Sequence, residues 1–334
     1  MKNSVTLQLW TLFSFVMASA VLGEAQLPVP TSSAPGQLSK IAFVTGNATK
    51  RFDIFQVNPD GSGLRLITQH DRAYMNWNCC PAWSPDGKEL AFVSSDLPAL
   101  GRSHAVIFIL DVLGDTVRAL FRDDTTCLLD PSWSPDATHL VFARGVKSRK
   151  FVGHFLQHRT EICIETELFS MGLDGSGLRQ LTQDPTASSR RPAWSPDGRA
   201  IAYVSRSKAK EAGKADIFLM DADGSNPRQL TKGGAAEINV DPSWSPDGTE
   251  IRFCSNRNGG NEVYVMNRDG GGVRQLTHGT RGRIFHPSWS PDGLQVVFGK
   301  GDASAIYIMN ADGTNVRVLE KSAWHPDFGK AADP

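Results

Sequence analysis

The sequence predicts an all-β fold. We expect a six-bladed β-propeller of four-stranded antiparallel blades, closed by pairing of the N- and C-terminal segments. Three observations favour this fold: a motif that recurs six times, a strand pattern shared by the repeats, and two chain ends that complement each other. A repeat of a few dozen residues is typical of stacked or circular arrays of one supersecondary unit.

The recurring motif is centred on tryptophan. Complete or close copies of Pro-Ala-Trp-Ser-Pro-Asp-Gly begin at Pro81, Pro131, Pro192, Pro242 and Pro287, and a degraded copy, Ser-Ala-Trp-His-Pro-Asp, begins at Ser322. The tryptophans are Trp83, Trp133, Trp194, Trp244, Trp289 and Trp324. Proline followed by Asp-Gly suits a tight turn, and tryptophan suits packing between blades, so we interpret the motif as structural.

Three further strands follow each motif. After Trp244, alternating residues over Ile251–Cys254 and Glu262–Met266 predict the second and third strands. The hairpin signal Asp269-Gly270 then leads into a fourth strand, Val273–Thr277. The other repeats follow the same order, so each unit predicts four short antiparallel strands.

The two ends of the repeat array are complementary. At the N-terminal end, Ile41–Val44 has the pattern of a second strand, but no tryptophan motif precedes it. At the C-terminal end, the last motif, Trp324–Asp327, is not followed by a second strand. Pairing the two ends completes a sixth, composite blade. Closure also protects the strand edges that an open array would expose.

These motifs resemble a known repeat. The order Trp-Ser-Pro-Asp-Gly, an aliphatic-Ala-Phe/Tyr-Val strand, Ile-Tyr/Phe-x-Met-Asn/Asp-x-Asp-Gly and Arg-Gln-Leu-Thr is similar to the TolB-type (WD40-like, PD40) propeller repeat over roughly residues 39–330. The resemblance implies a propeller and, by analogy, an envelope-associated role. A propeller hosts many activities, so the repeat itself does not name one.

The N-terminus predicts export. Lys2, an apolar stretch and the small residues Ala18-Ser-Ala20 are typical of a secretory signal. We expect a signal peptide over 1–25, a Pro- and Ser-rich flexible tether over 26–38 and a propeller over 39–334, in a periplasmic or secreted protein without a stable membrane span after cleavage. The 35 basic and 35 acidic residues balance, which disfavours nucleic-acid binding.

Five cysteines leave at least one unpaired within a monomer. Cys80 and Cys127 precede neighbouring tryptophan motifs, so a disulfide between adjacent blades is plausible. A vicinal pair of Cys79 and Cys80 is the alternative. Cys254 falls inside a predicted strand and suits a small buried side chain.

At one position just ahead of each motif, the amino acid differs from repeat to repeat, whereas a purely structural position is expected to keep the same residue type. We assign it to Cys80, Asp130, Arg191, Asp241, His286 and, for the last copy, Ser322. Equivalent positions in a ring share one height, so these side chains are expected near one mouth of the channel. The functional hypothesis is a pocket in which Asp130, Asp241 and His286 hold calcium or another divalent cation and Arg191 binds an anion. The alternative is hydrogen bonding to the channel edge and water.

The third repeat carries an insertion, Arg144 to Thr166, between its second and third strands. Insertions in repeats map to loops, often on a binding face. Its basic and aromatic residues suit an acidic partner, and a solvated loop is the alternative. The residues assigned to partner binding are Lys147, Arg149, Lys150, Phe151, Phe155 and Arg159.

Two functional hypotheses follow. The first is an exported, non-catalytic propeller that engages a protein or cell-envelope component through one face of the ring. The second is a metal-dependent, sugar-acid lyase-like enzyme with its site in the central channel. Gly-x-Ser-x-Gly, His-Glu-x-x-His and Gly-rich phosphate-loop motifs are missing from the sequence, which favours the first.

Overall fold

The computed structural model describes residues 39–46, 52–68, 77–96, 104–149, 161–208, 214–234, 236–279, 282–301 and 304–330. The predicted signal peptide (1–25) and tether (26–38) lie outside these residues and stay predictions. The described residues form 24 β-strands and contain no helix.

The strands build six blades in chain order. The first blade takes β1 (Ser39–Gly46), β2 (Phe52–Val57) and β3 (Arg65–Leu66). The second takes β4 (Trp77–Trp83), β5 (Glu89–Asp96), β6 (His104–Asp111) and β7 (Thr116–Asp123). The third takes β8 (Thr126–Trp133), β9 (His139–Arg149), β10 (Glu161–Gly172) and β11 (Arg179–Gln180).

The second half of the chain repeats this order. The fourth blade takes β12 (Ala187–Trp194), β13 (Ala200–Ser207), β14 (Ala215–Asp221) and β15 (Arg228–Gln229). The fifth takes β16 (Asn239–Trp244), β17 (Glu250–Ser255), β18 (Glu262–Asn267) and β19 (Arg274–Gln275). The sixth takes β20 (Ile284–Trp289), β21 (Gln295–Lys300), β22 (Ala305–Asn310) and β23 (Arg317–Lys321), and β24 (Ala323–Lys330) returns to the first blade.

Ring closure is confirmed. Strand β24 pairs antiparallel with β1, with Ile41 opposite Phe328 and Thr45 opposite Ala323. The first blade is therefore a composite of both chain ends, and the predicted six-bladed, four-stranded propeller is correct.

The fourth strand is shorter than predicted in four blades because a threonine side chain replaces part of the ladder. In the fifth blade, Thr277 Oγ1 donates to Glu262 Oε2 at 2.5 Å and accepts from the Val263 amide at 2.9 Å. The same arrangement occurs around Thr68, Thr182 and Thr231. The second and sixth blades lack this threonine and form the longer strands β7 and β23.

The tryptophan motif is a turn, as its sequence indicates. In five blades its serine hydroxyl donates to the motif aspartate at 2.5–2.7 Å and accepts from the amide five residues further on at 2.8–3.0 Å. The tryptophans also join blades, since the indole of Trp133 donates to Ala82 O and that of Trp244 to Ala193 O. We call the end of the ring with these turns the turn face.

The opposite end of the ring is where the second and third strands of each blade join, and we call it the hairpin face. The core lies between blades, built from alternate side chains of the second and third strands. Fully buried Phe43, Phe92, Phe142, Phe253 and Phe298 occupy equivalent second-strand positions. Within the described part of the chain, no helix is long and apolar enough to cross a membrane.

Candidate functional site

The variable position of the inner strands has one backbone conformation in all six blades. Each residue has a positive φ of 49–59° and precedes a proline, at a register shift in the pairing between the first and second strands. We call these six residues the channel ring: Cys80, Asp130, Arg191, Asp241, His286 and His325. A left-handed residue at a bulge re-aims its side chain, here towards the channel axis.

The sixth member corrects the sequence alignment, which assigned Ser322. Phe328, not Trp324, occupies the place of the motif tryptophan, because Ile41 pairs with Phe328 as Leu90 pairs with Trp83. The residue equivalent to Cys80 is therefore His325. The dipeptide His325-Pro326 matches His286-Pro287 of the preceding blade and could have revealed this.

The channel ring lines a cavity of about 640 Å³ that extends towards the turn face. Its walls combine the ring side chains with the prolines and tryptophans of the adjoining turns. A cavity that combines apolar proline and tryptophan surface with converging polar side chains is typical of a ligand site.

Arg191 crosses the channel and organises one side of the ring. Its Nη1 forms an ion pair with Asp241 Oδ1 of the fifth blade and lies 3.0 Å from His286 Nε2 of the sixth. The second oxygen of Asp241 accepts from the His286 amide at 2.9 Å. Burial alone would lower the pKa of Arg191, but Asp241 and then Asp130 hold it above its usual value.

The two histidines of the ring are neutral. Their ring centroids lie 4.4 Å apart in an edge arrangement. Burial, and then the charge of Arg191, lowers the pKa of His286 well below its usual range and that of His325 to about 4. Since Arg191 donates, His286 Nε2 is an acceptor. His325 Nδ1 is buried and lacks a hydrogen-bond partner among the described residues.

Asp130 and Cys80 occupy the other side of the ring. Within the described residues, no hydrogen bond engages the Asp130 carboxylate, which differs in this from its equivalent Asp241. A hydrogen bond with Cys79, then burial, raises the pKa of the Cys80 thiol. Cys80 is therefore a neutral thiol beside an acidic group.

The candidate metal ligands Asp130, Asp241 and His286 do not form a metal-binding group of three. Among the described residues, no group of three or more His, Cys, Asp or Glu side chains is arranged to hold a metal ion. Asp241 is instead engaged by Arg191 and by the His286 amide. The lyase-like alternative therefore has no assembled ligand set of Asp130, Asp241 and His286 in this geometry.

The predicted Cys80–Cys127 disulfide is wrong. Cys79, Cys80 and Cys254 are free thiols, whereas Cys127 is disulfide-bonded. Cys80 belongs to the channel ring, but Cys127 lies earlier in its own inner strand, with Sγ 3.4 Å from the Gly145 carbonyl of β9. The two sulfurs therefore face different parts of the fold.

Asp327 also lines the cavity, and the sequence motifs did not single it out. Its carboxylate accepts from the Trp83 amide at 2.9 Å and from Ser288 Oγ at 2.8 Å, so it links the second and sixth blades across the composite blade. Burial raises its pKa to about 6 despite these donors. The other blades have alanine or serine at this place, and that difference was the available signal.

The third-blade insertion extends a hairpin. Strands β9 and β10 stay paired as far as Arg149 opposite Glu161, and they contain 11 and 12 residues against 6–8 in the central strands of the other blades. Lys147 and Arg149 lie in β9, but their side chains are outside the described residues, as are Lys150, Phe151, Phe155 and Arg159 entirely. Arg144, at the base, is fixed by Asp123 at 2.7 Å.

Comparison with known proteins identifies the family. The TolB beta propeller domain (PD40) matches residues 32–211 and 176–327. The chain belongs to this family.

The proteins of similar sequence include an uncharacterized protein, a peptidase and a TolB homolog. An uncharacterized protein of Agrobacterium fabrum is 29% identical over 82% of this chain and 84% of its own length. Dipeptidyl-peptidase 5 of Porphyromonas gingivalis is 25% identical over 65% of this chain and 35% of its own. A TolB homolog of Chlorobium luteolum is 29% identical, but this match covers 30% of this chain and 31% of that protein.

Solved structures share the fold. TolB from Acinetobacter baumannii superposes with a TM-score of 0.67 at 22% identity, covering 88% of this chain and 68% of that one. An oligogalacturonate lyase in complex with manganese gives 0.56 at 17% identity, over 84% and 74%. A chain of a nidogen/laminin complex gives 0.63 at 10% identity, over 87% and 98%.

Proposed function

We propose that the protein is an exported binding propeller that engages a protein partner of the cell envelope through its hairpin face. The observation that carries this proposal is the extension of β9 and β10 beyond the central strands of every other described blade. The paired part of this hairpin, as far as Arg149 opposite Glu161, extends from one face of the ring. Insertions in repeat arrays often lie on the binding face.

The contacts in the channel are consistent with a binding role. Arg191, Asp241 and His286 are joined to one another by hydrogen bonds and an ion pair. Among the described residues, the channel ring has no set of three or more side chains arranged to hold a metal ion. The membership in the TolB family and the presence of the same fold in a nidogen/laminin complex are consistent with a binding role. Periplasmic or secreted localisation follows from the predicted signal peptide, and N-terminal sequencing of protein from its host should begin near residue 26.

Site-specific photocross-linking tests the proposal. A benzoylphenylalanine at Lys147, in the extended part of β9, should capture one envelope protein in the host. The same probe at Arg65, on the exposed outer strand β3, is the matched control and should not. Equal capture at both positions, or none at Lys147, would contradict a partner at the hairpin face.

A trimmed variant completes the test. Residues 150–160 are replaced by Asn-Gly, a two-residue hairpin turn, between the paired residues Arg149 and Glu161. The variant keeps the paired strands and the probe at Lys147. It removes Lys150, Phe151, Phe155 and Arg159, so cross-linking should fall if these residues contact the partner.

A further inference from the structure

Arginines gather at the hairpin-face end of the channel. Arg190 and Arg191 are neighbours in β12, Arg206 lies near the end of β13, and Arg283 directly precedes β20. These positions belong to the fourth and sixth blades, which flank the fifth blade in the ring, and the contact of 3.0 Å between Arg191 and His286 bridges these two blades. Arg206 and Arg283 are exposed on the hairpin face.

The arginine charges act on one another. Partial desolvation, and then the charges of Arg190, Arg283 and Arg191, lower the pKa of Arg206. The charge of Arg283 also contributes to lowering the pKa of His286. The groups therefore form one electrostatic cluster, although they come from three separate strands or strand ends.

Asp241 compensates the charge of Arg191 at the bottom of this cluster. Asp241 pairs with Arg191, but neither Arg206 nor Arg283 forms an ion pair among the residues that the structure describes. The two ring histidines are neutral and add no charge. Uncompensated like charges around an opening concentrate a positive potential there and attract anions.

The shape of the cluster favours one class of anion. The Arg191–Asp241 pair shows that a carboxylate fits between the inner strands. Arg206 and Arg283 come from two separate blades and flank the opening, which suits several carboxylates spaced along a chain better than one compact anion. In the channel below, buried His325 Nδ1 is an additional polar group without a partner among the described residues.

We propose that Arg191, Arg206 and Arg283 form an anion-binding site at the hairpin face and that it takes a carboxylate-rich segment of the protein partner. The site deepens the proposed function and rests on it for the nature of the ligand. Arg206 and Arg283 make the first contacts with the acidic segment. Arg191, held by Asp241, supplies the fixed charge at the entrance of the channel.

Binding of a labelled hexaglutamate peptide tests this site. Fluorescence anisotropy at low ionic strength should show saturable binding to the purified full chain and none for hexaglutamine. The double variant Arg206→Glu/Arg283→Glu should weaken hexaglutamate binding at least about tenfold, because charge-assisted hydrogen bonds are lost and repulsion is introduced. Both residues are exposed, so the variant should keep the thermal unfolding midpoint of the parent.

A matched charge reversal separates a site from general attraction. Arg65→Glu/Arg179→Glu changes the net charge equally, at exposed positions in the outer strands β3 and β11. It should change affinity less than about twofold. Equal weakening by both double variants would overturn the site, as would absence of hexaglutamate binding to the parent.

Inorganic phosphate as a competitor distinguishes the ligand class. Displacement of hexaglutamate only at high phosphate concentration supports a carboxylate-rich segment. Tight phosphate binding that depends on Arg206 and Arg283, without hexaglutamate binding, would overturn the proposed ligand. Cross-linking at Lys147 is read independently, so its success beside failed hexaglutamate binding would reject the anion site and leave the proposed function standing.

Discussion

Two regions of the inner strands repeat in different ways. In the tryptophan-motif turns, the backbone and the serine–aspartate hydrogen bonds recur together in five blades. In the channel ring only the backbone recurs, with φ near +50° in every blade, while the side chains are thiol, carboxylate, guanidinium or imidazole. The turn residues therefore stabilise the fold in the same way in each of these blades. In the channel ring, the side chain can differ between blades without a change in backbone conformation.

The largest expected effect lies within the channel ring. Asp241 and Asp130 share their backbone conformation, but only Asp241 pairs with Arg191 and accepts from the His286 amide. Asp241→Ala leaves a largely buried guanidinium and an amide unpaired, so we expect a loss of about 3 kcal/mol in unfolding free energy. Asp130→Ala should cost about 1 kcal/mol or less.

Urea denaturation of the two variants measures the difference. Both substitutions place alanine at a positive φ, so this cost is common to them and cancels. Equal destabilisation would mean that the ring positions matter only through their backbone, and the distinction between Asp241 and Asp130 would fail.

The composite blade differs from both regions, since it has Asp327 where other blades have alanine or serine. Burial raises the pKa of Asp327 from 3.8 to about 6, so its contribution to stability is fully present below about pH 4 and lost as the pH rises through 6. This rise corresponds to about 3 kcal/mol. Relative to Asp327→Asn, the parent should therefore be about 2 kcal/mol more favoured at pH 4 than at pH 7.

Unfolding free energies of the parent and Asp327→Asn across this pH range test the effect. His286 and His325 titrate in both proteins, so their own acid destabilisation cancels in the difference. Parallel pH profiles would show that Asp327 is ionised throughout and that its donors, Trp83 and Ser288, outweigh its burial.

The sequence predicted the fold because its determinants are local. A turn is encoded in five consecutive residues, and strands such as Ile251–Cys254 show their period directly. The ring contacts could not be predicted, because Arg191, Asp241 and His286 are separated by 45–95 residues along the chain and meet only when the fourth, fifth and sixth blades pack together. In the last repeat, the sequence pattern places the motif tryptophan at Trp324, whereas the structure places its equivalent four residues later, at Phe328.

Substitution of Ala137 should have the smallest effect on unfolding free energy, and it tests directly how the left-handed turn position contributes to stability. It has a φ of 56° at the place where Gly87, Gly198, Gly248 and Gly293 occupy the same left-handed region. A left-handed conformation costs an L-residue about 1–2 kcal/mol, whereas glycine adds a smaller entropic cost of about 0.5–1 kcal/mol. Ala137→Gly should therefore stabilise the protein by up to about 1 kcal/mol.

Gly293→Ala is the reverse substitution and should destabilise by a similar amount. Its new Cβ would lie 3.7 Å from the nearest Pro246 atom, an ordinary contact, so backbone strain alone sets the cost. Gly87 is unsuitable, because a Cβ there would lie 2.1 Å from the Lys330 carbonyl oxygen of the closing strand. Opposite and nearly equal shifts in unfolding free energy would show that the third blade retains its turn despite local strain. A destabilised Ala137→Gly would instead mean that the alanine side chain contributes packing that outweighs its conformation.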